Sequence, residues 1–406
     1  MLLYRLLLAL SSPLLLGWLL REAWQQKSLA HLASRLGKTR SIQADIWFHC
    51  ASVGEINALA PLALSLHQQG KRLLITSFTT TGLAQAQRRF SVLTGVELCL
   101  LPMDWQWTVK RFLARLDCPQ LVIVETEFWP NLIQLAHQKT MRISLINARI
   151  THKTLQTPHW WQRLLVGLLD EAIDQILCRN AQDLNDFRQL GVTKNHLKVL
   201  GNLKWCDAID TALPHLYSAP YVVFASTHHP EEIELARLWH KNNNLPKLVI
   251  VPRHPKRGAE IVQRFQAEGM TISQRSHKPD STDGFLLADT FGELTAWMAH
   301  AELVIMGGSF APKGGQNPLE AVRLGKLVLC GPDMRDFVVE VAQLSAMGAL
   351  FQVNTMSELM TEISQRLRQP EQSQQQAQAG KTWLLANQGQ ILADYLQALE
   401  WQNAMS

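Results

Sequence analysis

A glycine-rich segment leading into a helix is the stretch of this sequence that points most directly to chemistry. Residues 307–321 read GGSFAPKGGQNPLEA and follow an apolar run. Glycines let a backbone approach a ligand closely, and free amides at the start of a helix favour a phosphate group. Asn317 is predicted to cap the helix with Pro318 at its first position, which places Glu320 within reach of a ribose hydroxyl. The alternative is that Glu320 only completes an Asn-x-x-Glu capping box.

Polar and ionisable residues follow nearly every other apolar run of the chain. In open sheets of parallel strands, ligands bind beyond the carboxyl ends of the strands. The segments at these positions are 51–55 (ASVGE), 77–82 (SFTTTG), 125–130 (ETEFWP), 147–149 (NAR), 201–205 (GNLKW), 226–232 (STHHPEE), 252–257 (PRHPKR) and 289–294 (DTFGEL). This distribution is typical of an enzyme with a cleft between two domains.

Glu125 and Glu127 flank Thr126 directly after an apolar strand. Strand alternation would direct both side chains to the same side of the strand. Two carboxylates so close repel each other, so we expect one of them to have a cationic partner or a raised pKa. Arg149 and Lys204 are candidate partners.

Short apolar runs alternate with helical patterns and predict an α/β fold, with parallel sheets covered on both faces. The predicted strands are 46–50, 73–76, 96–101, 121–124, 143–146, 175–178, 198–200, 221–224, 248–251, 285–287, 303–306 and 327–329. A looser stretch at 207–220 contains two prolines and is the predicted hinge between two doubly wound domains. The predicted division is an anchor at 1–22, a first domain at 23–212 and a second at 213–406. A final helix from Thr382 to Gln402 could pack back across the hinge.

The N-terminal residues form an apolar run in which Arg5 is the only charged residue before Arg21. A bilayer span needs about 20 residues. The run could therefore cross the membrane with Arg5 reaching the interface, or lie in one leaflet as an anchor. A cleaved signal peptide is the competing interpretation, but no small-x-small cleavage site is visible. Basic residues follow the run, which predicts a catalytic body on the cytoplasmic side of an inner membrane.

The composition agrees with a cytoplasmic body and an anionic partner. The net charge is +5 over 406 residues, which suits an anionic substrate or membrane surface and gives no indication of nucleic-acid binding. The six cysteines lack paired spacing and are interpreted as reduced, buried thiols. Tryptophans are candidates for additional membrane contact, with ordinary core packing as the alternative: Trp47, Trp107, Trp160 and Trp161.

Taken together, these strings resemble the 3-deoxy-D-manno-octulosonic acid (Kdo) transferases of Gram-negative bacteria. The resemblance runs from the N-terminal apolar segment to about residue 345. It implies the GT-B glycosyltransferase fold, in which two Rossmann-like domains face a cleft, with the acceptor on the N-terminal domain and the nucleotide donor on the C-terminal one. It also implies inverting transfer of Kdo from CMP-Kdo to the tetraacyl lipid A precursor (lipid IVA) in lipopolysaccharide core biosynthesis, without an obligate protein partner.

The resemblance assigns catalytic roles to three residues. Glu55 would be the base that deprotonates the acceptor hydroxyl, and Gly54 would allow the tight turn that presents it. Glu125 and Lys204 would stabilise the transition state, because Kdo carries a carboxylate and CMP leaves as an anion. From the residues alone, Glu55 could instead be a first-turn acid that complements a helix dipole, and Lys204 a surface lysine.

The resemblance also implies which residues contact CMP. They are Pro252, Arg253, Gly292, Glu293, Leu294, Asn317, Pro318, Leu319 and Glu320. Lys256 and Arg257 are expected to begin a helix and stay solvated. We expect no metal or other cofactor, because CMP-Kdo is itself the donor substrate and no third ligand accompanies His228 and His229 at a metal-site spacing.

Two alternatives remain open. A GT-B transferase or epimerase acting on a UDP-sugar would share the glycine-rich segment and the ribose-binding glutamate, but not the strings ASVGE and ETEFWP. A membrane-tethered nucleotide-binding module without chemistry would leave Glu55, Glu125 and Lys204 without a role.

Overall fold

The structure is a computed structural model that describes residues 1–193, 196–206, 213–242, 244–277 and 284–400. The chain divides into two compact units. The first unit comprises Met1–Asp207 with Gln388–Ser406, and the second comprises Ala208–Asn387. The predicted domain boundary at 212–213 adjoins residues 207–212, which lie outside the described part of the chain.

The first unit is an alternation of strands and helices. In chain order its elements are α1 (Leu2–Gln25), α2 (Leu29–Arg35), β1 (Ile42–Gln43), β2 (Ile46–Cys50), α3 (Val53–Gln68), β3 (Leu73–Ser77), α4 (Thr80–Phe90), β4 (Val96–Leu100), α5 (Gln106–Leu113), β5 (Leu116–Asp117), β6 (Gln120–Val124), α6 (Pro130–Gln138), β7 (Arg142–Ala148), α7 (His152–Leu155), α8 (His159–Glu171), β8 (Gln175–Cys178), α9 (Ala181–Leu190) and β9 (Leu197–Val199).

The main sheet of the first unit has the strand order β4-β3-β2-β6-β7-β8-β9, and its neighbouring strands are all parallel. The chain leaves β2 toward β3 on one side and later returns to place β6 on the other. Because crossovers between parallel strands are right-handed, this reversal puts helices on both faces of the sheet. The junction of β2 and β6 is therefore the topological switch point of the first unit, where open α/β sheets bind ligands.

The second unit repeats the same plan. Its elements are β10 (Tyr221–Thr227), α10 (Glu231–Trp239), β11 (Lys247–Pro252), α11 (Gly258–Ala267), β12 (Ser273–Gln274), β13 (Phe285–Leu287), α12 (Leu294–His300), β14 (Leu303–Met306), α13 (Leu319–Arg323), β15 (Val328–Cys330), α14 (Val338–Ala346), β16 (Leu350–Gln352), α15 (Met356–Arg368) and the start of α16 (Pro370–Glu400). The parallel sheet has the order β12-β13-β11-β10-β14-β15-β16, so its switch point lies between β10 and β14.

Strand burial explains why the sequence forms these sheets. The central strands β2, β3, β6 and β10 are buried along their whole length, as expected for parallel strands with helices on both faces. Each fully buried Leu, Ile or Val side chain stabilises the fold by about 1.5–3 kcal/mol. The predicted α/β class and every predicted strand are confirmed, with ends shifted by three residues at most. The strands β1, β5 and β12 were missed because two residues give no readable pattern, and the three-residue strand β16 was missed as well.

One side of helix α1 contacts the rest of the first unit. The Tyr4 hydroxyl donates to Asp104 Oδ2 at 2.7 Å, and the Arg5 guanidinium donates to Asn131 Oδ1 at 2.9 Å and to Gln134 Oε1 at 2.5 Å. Leu19 is fully buried. Arg5 is therefore engaged by the protein and does not reach toward an interface.

The other side of α1 is apolar and exposed. Its large exposed apolar residues are Leu2, Leu3, Leu6, Leu7, Leu10, Leu14, Leu16, Trp18, Leu20 and Trp24. Within the described residues, α1 is the one helix long and apolar enough to cross a membrane. Of the tryptophans considered for membrane contact, Trp47 is fully buried and belongs to the core, whereas Trp107 and Trp160 are exposed.

Candidate functional site

Glu55 lies in the first turn of α3, at the switch point of the first unit. Ser52 caps the helix by accepting the Glu55 N–H, and its hydroxyl donates back to Glu55 Oε1 at 2.9 Å. Glu55 Oε2 accepts the Ala51 N–H at 2.6 Å. The helix begins at Val53 because this capping arrangement holds its first turn. Glu55 is thus a first-turn acid, as the alternative from the residues alone predicted. A catalytic role would be additional to this structural one.

The Glu55 carboxyl is poised to exchange a proton near neutral pH. Burial raises its pKa to about 7, and the negative charges of Glu127 and Glu125 add to the rise, while the Ala51 N–H opposes it. A base whose pKa lies near the working pH balances its charged fraction against its basicity.

Gly54 does not play the role expected from the sequence. It lies inside the first turn of α3, its φ is not in the left-handed region, and a Cβ there would have its nearest contact at 3.9 Å, with Ser52 Oγ. The prediction that Gly54 permits a tight turn is wrong, because the helix cap positions Glu55.

Glu125 directly follows strand β6, and its backbone is in the left-handed region. Strand β6 ends at Val124, and Glu125 has a φ of 61°, so strand alternation does not relate its direction to that of Glu127. The prediction of a cationic partner is confirmed. Lys204 Nζ lies 2.7 Å from Glu125 Oε1, and Arg149 Nε lies 3.1 Å from Glu125 Oε2. Although burial alone would raise its pKa, the two cations hold the pKa of Glu125 below its ordinary value.

Glu127 behaves in the opposite way. Burial, with a further contribution from the charge of Glu125, raises its pKa. The pKa values of the two neighbouring glutamates therefore shift in opposite directions. As the repulsion between them predicts, Glu125 is paired and charged, whereas Glu127 is easier to protonate.

Lys204 is held in place by the ends of other elements. It lies in a 3₁₀ turn, Leu203–Cys206, whose first N–H donates to Asn147 Oδ1 at 3.0 Å. The Asn147 N–H in turn donates to the Tyr395 hydroxyl at 3.2 Å, and that hydroxyl donates to the Gly201 carbonyl at 3.0 Å. Tyr395 belongs to the last part of α16, so the C-terminal helix packs beside the segment that carries Lys204.

The glycine-rich segment in the second unit follows β14, at the switch point of that unit. Several of its amides donate to carboxylates of the protein. The buried Glu231 carboxylate accepts the N–H groups of Gly308 at 2.9 Å, Phe310 at 3.0 Å and Ala311 at 3.2 Å. The Gly314 N–H donates to Asp333 Oδ2 at 2.9 Å. Two carboxylates of the protein therefore occupy the amides of the glycine turn, and the predicted phosphate contact at the helix start lies beyond them.

The segment after the glycines keeps the predicted cap. Asn317 Oδ1 accepts the Leu319 N–H at 3.1 Å, the bond expected when Asn317 caps and Pro318 stands first in the helix. The regular helix α13 is assigned from Leu319. Glu320 is half-buried in its first turn.

The other residues predicted to contact CMP lie in several segments of the second unit. Arg253 is exposed after β11, whereas Pro252 ends that strand and is buried. Gly292 has a φ of 88°, and Glu293 accepts hydrogen bonds from Thr290 and Arg275 just before Leu294 starts α12. Arg257, expected to be solvated, instead bonds Glu232 Oε1 at 2.7 Å and is largely buried. That expectation was wrong, because Glu232 is buried and an ion pair offsets its desolvation.

The six cysteines are free, and Cys99 alone among them is half-buried rather than buried. Within the described residues, no group of three or more His, Cys, Asp or Glu side chains is arranged to hold a metal ion.

Sequence reasoning missed Glu231 and Tyr395. The string HPEE signals an acidic helix start, but its partners lie 77–80 positions further along the chain. Tyr395 contacts residues 194 and 248 positions away. Local pattern carries no information on such contacts.

Comparison with known proteins identifies the family. Residues 30–206 match the family model described as 3-deoxy-D-manno-octulosonic-acid transferase (kdotransferase). The chain is 30% identical over 417 residues to the 3-deoxy-D-manno-octulosonic acid transferase of Bordetella pertussis, covering 95% of this chain and 96% of that protein. It is 28% identical to the same-named protein of Haemophilus influenzae (strain Rd), covering 96% and 95%.

Solved structures agree on the fold. The UDP-GlcNAc 2-epimerase of Neisseria meningitidis, bound to UDP-GlcNAc, has a TM-score of 0.57 at 14% identity and covers 85% of this chain and 99% of that one. Anabaena HepE in complex with UDP has a TM-score of 0.58 at 14% identity, covering 88% and 99%. These similarities concern the fold alone, and they confirm the GT-B class. With 30% identity over nearly its whole length, the chain belongs to the 3-deoxy-D-manno-octulosonic acid transferase family.

Proposed function

We propose that this chain transfers Kdo from CMP-Kdo to a sugar hydroxyl of the tetraacyl lipid A precursor, with inversion at the Kdo anomeric carbon. Relatives that are named Kdo transferases and align over nearly the whole chain support the transferred sugar. The observation that carries the mechanism is the combination of two carboxyl groups. Glu55 has a pKa of about 7, and Glu125, whose charge acts on Glu55, is held between the cations of Arg149 and Lys204.

Glu55 is the proposed base. As the acceptor oxygen forms its bond to the anomeric carbon of Kdo, the hydroxyl proton passes to the Glu55 carboxylate. The bond between that carbon and the phosphate oxygen of CMP-Kdo breaks, and CMP leaves with the electron pair. Donating Ser52 and Ala51 groups fix the direction of the carboxylate, so the base is preoriented.

The cations beside Glu125 are proposed to stabilise negative charge. One carboxylate and two cations leave this group with a net charge of +1. Lys204 is about one third exposed, so a substrate can approach it. A net positive group favours both the Kdo carboxylate and the departing CMP. The reaction as proposed needs no metal or other cofactor, because CMP-Kdo carries the activated sugar; full activity in excess EDTA is the expected result.

CMP is proposed to bind the second unit. Because carboxylates of the protein occupy the amides of the glycine turn, the proposed phosphate contact falls on the following segment, with Glu320 toward the ribose. Pro252, Arg253, Gly292, Glu293, Leu294, Asn317, Pro318 and Leu319 complete the proposed contacts. The capped start of α13 and its partial positive charge support this placement.

The exposed side of α1 is proposed to lie in the cytoplasmic leaflet of the inner membrane. Contacts of Tyr4, Arg5 and Leu19 with the first unit favour a helix parallel to the membrane over one that crosses it. Exposed Arg21 and Lys27 suit anionic headgroups.

Aromatic rings connect this surface with the candidate active site. Trp18 of α1 stacks on Phe78 with ring centroids 6.4 Å apart, and Phe78 contacts Trp129 at 4.6 Å. Trp129 follows Glu127 by two residues, and the Glu127 charge acts on Glu55. The acyl chains of a lipid acceptor would thus stay in the bilayer while its sugar reaches Glu55.

The donor and acceptor can be tested together. Purified enzyme should convert the lipid A precursor with CMP-Kdo to a product heavier by one or more Kdo residues, and should give no product with UDP-sugars. Turnover of a UDP-sugar but not of CMP-Kdo would overturn the proposal in favour of the UDP-sugar alternative. Binding of CMP without any transfer would favour a binding module.

The membrane surface needs a gentler test than deleting α1, because deletion would also remove the contacts of Tyr4 and Leu19. Leu10→Gln with Leu14→Gln changes two exposed side chains and should abolish flotation with anionic vesicles while leaving turnover of detergent-dispersed acceptor intact. Leu385→Gln, at an exposed leucine of α16, is the matched control and should float like wild type. Flotation of the double variant would contradict the proposed surface.

A further inference from the structure

Glu231 is a buried carboxylate to which the proposed mechanism gives no role. It stands first in α10, is 0% exposed, and points its two oxygens into backbone N–H groups. Oε1 accepts from Phe310 and Ala311, whereas Oε2 accepts from Gly308 at 2.9 Å and from His228 at 2.8 Å. Several N–H groups converging on one point form the arrangement by which a backbone binds an anion. In this unit the anion is part of the protein.

The bonds of Glu231 continue toward the proposed CMP contacts. Gly308, whose N–H is held by Glu231, accepts the Gly315 N–H through its carbonyl at 3.0 Å. Gly315 stands two residues before the capping Asn317. Gly308 and Gly315 both have positive φ values, 67° and 78°, so the chain between them folds into a tight loop. The position of Asn317 therefore depends on a loop that the Glu231 carboxylate holds at its base.

Steric contacts show how closely the segment is packed. A Cβ at Gly307 would lie 2.7 Å from the Ser226 carbonyl, and one at Gly315 would lie 2.3 Å from Met334 Sδ. The ring of His228 lies 3.3 Å from the place a Gly308 Cβ would take. Without the Glu231 carboxylate, the buried N–H groups of Gly308 and Ala311 would lose their acceptor on this path, and a buried N–H without a partner costs about 1–3 kcal/mol.

We propose that Glu231 is a positioning residue for the donor: its carboxylate serves as a built-in anion that shapes the glycine loop, so that the segment starting at Asn317 can bind the phosphate of CMP. This proposal rests on the proposed donor site. It predicts that the loop needs a negative charge at this point rather than the glutamate itself, and that the charge acts on donor binding and not on the acceptor.

Chemical rescue separates this role from a merely structural one. Glu231→Ala should weaken CMP binding, measured by calorimetry, by about tenfold or more, because several charge-assisted hydrogen bonds are lost. Sodium formate should restore most of the affinity by placing a small carboxylate in the vacated space, whereas sodium chloride at the same ionic strength should not. Glu231→Gln should lose affinity too, but without rescue, because its side chain still fills the space. Glu234→Ala, an exposed glutamate of the same helix, is the matched control and should bind like wild type.

The outcomes distinguish this inference from the donor site on which it rests. If Glu320→Ala weakens CMP binding while Glu231→Ala binds like wild type, the donor site stands and the role of Glu231 is refuted. If neither variant affects CMP binding, the donor site itself is wrong. If chloride rescues Glu231→Ala as well as formate does, the effect is one of ionic strength and the built-in anion is refuted. Should Glu231→Ala not fold, CMP affinity of Glu231→Gln at wild-type thermal stability decides, with unchanged affinity overturning the proposal.

Discussion

The two units place a glutamate at the same topological position and use it in opposite ways. Glu55 lies in the first turn of the helix after β2, and Glu231 in the first turn of the helix after β10, each beside its switch point. Burial raises the pKa of both carboxyls. Like charges of Glu127 and Glu125 act on Glu55, whereas four backbone N–H groups surround Glu231.

The comparison shows that a raised pKa alone does not identify a catalytic base. Burial accounts for the largest part of the rise in both residues, so the partners must decide. A carboxylate whose oxygens are all engaged by the backbone cannot accept a substrate proton without loosening the structure. Glu55, in contrast, accepts one backbone N–H and one hydroxyl. The group after the neighbouring strand β6 is the charged pair of Glu125 and Lys204, whereas Glu231 faces the amides of a glycine loop.

The largest expected effect is that of Glu55→Gln. Removing the base should lower kcat by about 10²–10⁴ while leaving CMP affinity and thermal stability close to those of wild type. Turnover in single-turnover assays and calorimetric CMP binding should be measured on the same preparation. If Glu55→Gln keeps near-normal turnover, or loses CMP binding instead, the division of roles between Glu55 and Glu231 is wrong.

Replacing Lys204 tests the charged group that Lys204 forms with Glu125 and Arg149. Lys204→Met leaves Glu125 with Arg149 alone and should lower kcat by about 10², comparable to removing one group that stabilises developing charge. Lys198→Met, at an exposed lysine in the preceding strand, is the control and should leave kcat unchanged. Equal activities of the two variants would return Lys204 to the class of surface lysines.

The smallest effect concerns the C-terminal helix. Tyr395→Phe leaves the Asn147 N–H and the Gly201 carbonyl without their partner, which should lower the free energy of unfolding by about 1–3 kcal/mol. Because these groups hold the turn that carries Lys204, kcat should also fall, with CMP affinity unchanged. Tyr221→Phe removes a buried hydroxyl that donates to the Trp297 carbonyl in the second unit. That variant should lose stability without a loss of kcat; equal kcat values for both would refute a positioning role for Tyr395.

The sequence predicts the fold well because parallel strands buried on both faces are continuous apolar runs. The strands 175–178, 285–287 and 303–306 agree residue for residue with the structure. Strand-end reasoning also brings Glu125 and Lys204 to one edge of a sheet, as the 2.7 Å ion pair confirms. Both successes rest on patterns that are local in the chain.

What the sequence could not predict depends on contacts between distant residues. The glycine segment has the composition of a phosphate loop whether its amides meet a ligand or Glu231. An apolar N-terminal helix has the same composition whether it crosses a bilayer or lies on the protein through Tyr4 and Arg5. Glu125 departs from strand alternation because its backbone turns to a φ of 61°, which no residue pattern announced.

The most direct test of the account is the pH dependence of kcat/KM for the lipid acceptor, which reports the free enzyme. Glu55 must be deprotonated to accept a proton, so kcat/KM should fall as the pH is lowered through about 7, the pKa of this carboxyl. Glu127→Gln removes a negative charge that raises this pKa, so its profile should move to lower pH. A wild-type profile that is flat between pH 5.5 and 8.5 (about 1.5 units either side of that pKa), or one unmoved by Glu127→Gln, would contradict Glu55 as the base.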